Sequence, residues 1–129
     1  MNNAIAVRHA AGVDHYKSMR FGVDDKSSAL VVFGAEPRQL IAAFNREFWV
    51  SVDLVELDDA LPDPHNAILV RHAQGESRYR SVSFALDDKT SALMIYADPS
   101  RHEVLATFNP TFWASAEVTY IDPDEVLSG

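Results

Sequence analysis

Two Arg-His pairs, Arg8-His9 and Arg71-His72, combine the residue types that hold an anion and move a proton. Each pair closes a short segment of alternating apolar residues. Neighbours on a strand point to opposite faces, so the Arg and His of one pair cannot converge on one substrate. His9 and His72 share their faces with Ile and Val, which predicts partly buried histidines bonded to the backbone. A general base needs a carboxylate or nucleophile within hydrogen-bond reach, and the sequence identifies none. His15, His65 and His102 show no H-x-x-x-H or H-E-x-x-H spacing, and cysteine is absent, so no metal site is expected. Asp24-Asp25 and Asp87-Asp88 lack the further oxygen ligands and set glycine of a calcium loop; side chains of this kind bond nearby amides and make turns. No nucleophile elbow, phosphate loop or dinucleotide fingerprint occurs, and glycine is scarce at five residues. No catalytic, cofactor-binding or metal-ligating residue is therefore assigned.

These candidates occur twice because the chain is written twice. Residues 4–33 lie over 67–96 without a gap, and residues 40–54 over 104–118 after a one-residue insertion. Identity is 16 of 30 and then 6 of 15 positions, far above chance, which marks a tandem duplication. The expected units are 1–57 and 67–129, joined by a linker at 58–66 with two prolines. Each is too small to hold much interior alone, so the two are expected to form one compact domain.

The elements that must position the candidates follow from hydrophobic period. Residues 4–10 read as a strand with Ile5, Val7 and His9 on one face, ended by a turn at Gly12; Gly75 marks the same turn in the second copy. Residues 15–24 alternate, with Met19, Phe21 and Val23 against Tyr16, Ser18 and Arg20. Residues 29–33 and 92–96 are apolar on both faces, as a covered strand requires. A helix is expected next: Leu40, Ile41, Phe44 and Phe48 fall at helical spacing, as do Val104, Leu105, Phe108 and Phe112, and Asp98-Pro99 is a helix-start signal where the first copy has Glu36-Pro37. A last strand carries Val50, Val52 and Leu54. The expected fold class is α+β, a duplicated β-β-β-α-β unit with pseudo-twofold symmetry. One mostly antiparallel sheet with both helices on one face is preferred over two four-stranded layers.

Composition narrows the function. A formal charge of −8 disfavours direct nucleic-acid and anionic-membrane binding. No apolar run reaches the roughly 18 residues that span a bilayer, and no secretory leader is evident, so a cytoplasmic protein is expected. Acidic residues, among them Asp58 and Asp59, gather where each copy ends, which suits a basic protein partner. The expected docking face carries Arg8, Tyr16, Ser18, Arg20, Ser51 and Asp53, with Arg71, Tyr79, Ser81, Ser83, Ser115 and Glu117 from the second copy. Trp49 and Trp113 close the repeated F-N-x-x-F-W word; they are expected to pack, with an exposed patch as the alternative. The leading expectation is a small acidic non-enzymatic binding protein of inhibitor, immunity or regulatory type. The alternative is a small-molecule or catalytic site at the seam, using Arg8, Arg71, Tyr16 and Tyr79, with His9 and His72 moving protons. Homo-oligomers by edge-strand pairing are compatible with either.

Overall fold

The computed structural model describes residues 2–34, 39–57, 66–87, 89–122 and 124. The first copy folds as β1 (Ala4–His9), β2 (Gly12–Tyr16), β3 (Phe21–Val23), β4 (Leu30–Phe33), β5 (Leu40–Phe44) and β6 (Trp49–Val55). The second repeats it as β7 (Ala67–His72), β8 (Gly75–Tyr79), β9 (Ser83–Leu86), β10 (Leu93–Tyr96), β11 (Val104–Phe108) and β12 (Trp113–Thr119). All pairings are antiparallel. The described residues contain no helix, so none is long and apolar enough to cross a membrane.

The α+β expectation is therefore wrong: the fold is all-β. The segments read as helices are β5 and β11, each followed by a tight turn. Between Val32 and Phe33 the β4–β5 register skips Ile41, and the β10–β11 register skips Leu105 in the same way. Such a bulge breaks the two-residue alternation. The turn then returns Phe48 and Phe112 to the core, so bulge and turn together imitate helical spacing. Asn45 and Asn109 make these turns: their side-chain oxygens accept the Glu47 and Thr111 amides at 3.2 and 3.0 Å. Asp98 does not cap a helix. It holds the β10–β11 loop, accepting from Ser100 Oγ at 2.8 Å. Short apolar runs of five residues suit a strand covered on both faces equally well. Glu36, Pro37 and nearly all of the linker lie outside the described residues.

The strand expected over 15–24 is two strands. Tyr16 ends β2, and a kink held by Ser18, whose hydroxyl donates to the Phe33 carbonyl at 2.6 Å, precedes β3.

Within each copy the strands form two three-stranded ribbons, one of first, second and sixth strands, the other of third, fourth and fifth. β2-β1-β6 stands alone as one outer sheet and β11-β10-β9 as the other. The remaining two ribbons join through β5 and β12 into a central sheet, β3-β4-β5-β12-β7-β8. Ala42 packs in one core, with Ile5, Val7 and Phe44, while its neighbour Ala43 packs in the other, with Ile68, Leu93 and Trp113. Consecutive strand residues face opposite ways, so the outer sheets cover opposite faces of the central one. The expected pseudo-twofold closure is absent. β5 pairs with β12, whereas among the described residues the twin pairing, β11 with β6, is not made. The copies stand head to tail.

Phe44 is fully buried at the centre of the first core. Phe44→Ala is expected to cost about 3–5 kcal/mol in urea unfolding. Val104→Ala, at a half-exposed position of β11, should cost less than about 1 kcal/mol. Equal losses would contradict this placement.

Candidate functional site

The β5–β12 junction brings a polar cluster together where β2 reaches over the central sheet. Register fixes its members: Tyr16 and Asp14 sit opposite Ile5 and Val7 on the inner face of β2-β1-β6, while Ser115 lies opposite Arg71 in the central sheet, two pairs from Glu117. Arg71 Nη1 donates to Asp14 Oδ2 at 2.8 Å and to Ser115 Oγ at 3.3 Å. Its Nη2 lies 3.8 Å from Glu117 Oε1. Tyr16 OH donates to Glu117 Oε2 at 2.8 Å. His9 Nδ1 accepts the Ala11 amide, which leaves the ring proton on Nε2, 2.9 Å from Asp14 Oδ2.

Burial and partners set the acidities. Burial pushes Asp14 upward, but the hydrogen bond and charge of Arg71, helped by His9, win and hold its carboxyl below the ordinary value. Glu117 goes the other way: burial raises it, and neighbouring Asp14 adds to the rise, beyond what Tyr16 and Arg71 offset. Burial, then the Glu117 and Asp14 charges, drives the Tyr16 phenol well up. Burial tends to lower Arg71, yet its carboxylate partners raise it. The cluster is a clasp in which the side chains of the two copies satisfy one another. Among the described residues no three His, Asp or Glu side chains stand together as metal ligands.

The remaining candidates scatter. Arg8 is exposed on the outer face of β2-β1-β6, opposite Ser51, with Asp53 along the same face. Tyr16 points the other way, inward, so it does not belong to the Arg8 face. Tyr79, its twin, packs edge-on against Phe108 at 6.3 Å. Arg20 donates to the Gly34 carbonyl at 3.1 Å and lies over the Phe33 ring. Trp113 is buried and Trp49 half-buried; their indole N–H groups donate to Ser91 and Ser28 carbonyls at 3.3 and 3.1 Å. Each anchors a loop whose serine has positive φ, 65° and 61°. Ser81 and Ser115 are also buried. Asp58 and Asp59 lie outside the described residues. His72 repeats His9, stacking on Phe112 at 4.8 Å as His9 stacks on Phe48 at 4.7 Å, with Ser77 in place of Asp14.

An open groove of about 790 Å³ runs along the seam between Asn45–Phe48 and Pro110–Ala114. His72 lines it, but the groove contains none of Arg8, Arg71, Tyr16 or Tyr79, the anion and proton groups expected at a seam site.

What sequence reasoning missed is the role of Asp14 and Asn45. Asn45 Nδ2 crosses the seam to the carbonyls of Pro110 and Trp113, at 2.7 and 3.0 Å, and its amide donates to Ala114 at 2.8 Å. The repeat of Asn in both copies was the available signal. The chain matches no protein-family model, no curated protein and no solved structure.

Asp14 contributes stability that is complete above its ordinary value of 3.8 and lost as pH falls through its lower folded value. Ionised Glu117 costs stability at neutral pH, a cost relieved as pH falls through its raised value towards 4.5. Asp14→Asn should therefore lose about 1–3 kcal/mol at pH 7, with the deficit shrinking below pH 3.8. Glu117→Gln should cost less at pH 7. Denaturant melts across pH check both, and the reverse order of losses would contradict the clasp.

Proposed function

We propose that this chain is a small acidic non-enzymatic binding protein, of inhibitor, immunity or regulatory type, that docks a protein through its repeated sheet surface. One observation carries the reading. The face bearing Arg71, Ser115 and Glu117 is covered by protein, the β2 strand of the chain's own first copy. Its twin leaves Arg8 and Asp53 exposed and Ser51 half-buried. A surface whose duplicate already binds a strand has the chemistry to bind another: an arginine that takes a carboxylate, and a carboxylate that takes a hydroxyl. Exposed Val13 beside Arg8 adds apolar area to this face. The formal charge of −8 steers basic partners in the encounter.

The test is affinity capture with the wild-type chain, followed by titration of the captured protein against Arg8→Glu and Asp53→Arg. Binding at least about tenfold weaker in both variants is expected. A partner held equally by all three proteins, or no retained protein, would contradict the reading.

A further inference from the structure

The two outer ribbons are complementary halves of a second central sheet. Inside the chain, the third-to-fifth-strand ribbon of copy one joins the first, second and sixth strands of copy two, edge to edge. The ribbons left over are β9-β10-β11 and β2-β1-β6. They are the same two kinds, and β11 and β6 are the twins of β5 and β12. From this we propose that β11 of one molecule pairs antiparallel with β6 of a second copy of this chain, repeating the β5–β12 junction between molecules. The inference rests on the binding reading above and names a second copy, in place of a basic protein, as the partner for that same surface.

Three independent features support it. The first is twin burial. Asn45 is buried at the junction while Asn109 is exposed; Ala43 is fully buried while Thr107 is exposed. On the other strand Val118 is 9% exposed and its twin Leu54 46%. The second is edge chemistry. Solvent-facing edges are normally defended by shortness, lysine or proline. β3 has three residues and β8 carries Glu76 and Arg78, whereas β11 (VLATF) has no charge and β6 (WVSVDLV) has one in seven residues. Exposed Val50, Leu54, Val104 and Leu105 lie on these two strands. The third is the conserved hydrogen-bonding plan. Asn45 reaches backbone carbonyls, which exist at the twin positions whatever the side chain, and Asn109 keeps the donor.

The internal junction also supplies the register. Ser115, Ala116 and Glu117 lie opposite Phe44, Ala43 and Ala42. The intermolecular register is then Ser51, Val52 and Asp53 opposite Phe108, Thr107 and Ala106. Asn109 Nδ2 donates to the carbonyls of Arg46 and Trp49, Tyr79 OH to Asp53, and Arg8 to Ser77. The contact is heterologous, so it builds rings or open stacks and not a closed twofold pair. It is weaker than its template, because Ser77 stands where Asp14 supplies a carboxylate and two chains of charge −8 repel.

The experiment is sedimentation of the full chain over rising concentration, at low and high salt. Species heavier than 14.3 kDa are expected, growing with concentration and with salt, since salt screens like charge. Ser77→Asp should tighten association at least about threefold by giving Arg8 its carboxylate. Thr107→Pro removes an edge N–H, and Asn109→Asp removes the seam donor while keeping the oxygen that accepts from Thr111 in the turn; each should weaken association about tenfold or more, the second with unchanged melting. Asn109→Asp decides the matter if the proline variant fails to fold. A chain of 14.3 kDa throughout, including Ser77→Asp, overturns the inference, as does an oligomer indifferent to both edge variants. A chain that stays monomeric but loses a foreign partner on Arg8→Glu overturns self-pairing alone. A monomer that retains nothing overturns the binding reading too.

Discussion

The β5–β12 pairing is the constraint on which the molecule depends. Three ladder pairs make it, extended by the Asn45 amide on the Ala114 carbonyl, and they include Ala42, Ala43 and Ala116. These small side chains allow the central sheet to be covered on both faces at its middle, by one outer sheet against Ala42 and the other against Ala43. Larger residues there would push a layer away, because interiors are packed to crystal-like density. Each copy alone is a six-strand sandwich with little interior. The shared sheet turns two marginal cores into one stack.

The polar clasp at the same place acts on specificity. Asp14, Arg71, Glu117 and Tyr16 come from both copies and satisfy one another in a half-buried setting. Such a cluster adds little net stability, because desolvating the charges consumes much of what their attraction returns. A register slip would leave Glu117 and Arg71 buried without partners, and that penalty selects one alignment of the copies. His9 adds to this by stacking on both Phe44 and Phe48 while holding Asp14 in place. Of the groups the sequence offers for a seam site, Arg71, Tyr16 and His9 hold the two copies in alignment.

Much of the plan was legible in the residues. The duplication is plain, and so are the glycine turns, with Gly12 and Gly75 at φ 140° and 127°. The Asp24 turn is another: its carboxylate accepts the Ser27 amide at 2.9 Å, as alternation and turn chemistry suggest. Arg8, Ser51 and Asp53 do share one face. The helices failed for a local reason, since a bulge at Ile41 followed by an asparagine turn places apolar residues at the spacing of a helical face. Tyr16 lies on the face opposite to the expected one because the Ser18 kink divides the strand expected over 15–24. The junction itself was out of reach. Pairing between β5 and β12 joins residues about 70 positions apart, and no local period encodes which edge meets which.

The central claim is that one junction is made within the chain and its twin, with Ser77 where the first has Asp14, is left open. Residue-resolved amide exchange at Ala43, Ala116, Val52 and Thr107, in dilute and concentrated solution, tests it most directly. Alternation from the Asn45 amide, which bonds across the seam, puts the Ala43 and Ala116 amides inside the made junction and those of Val52 and Thr107 on the open edges. The account predicts slow exchange at Ala43 and Ala116 at every concentration. It predicts fast exchange at Val52 and Thr107 when dilute, slowing as concentration rises. Equal protection of all four in dilute solution would contradict it, because the second junction would then be closed within the chain.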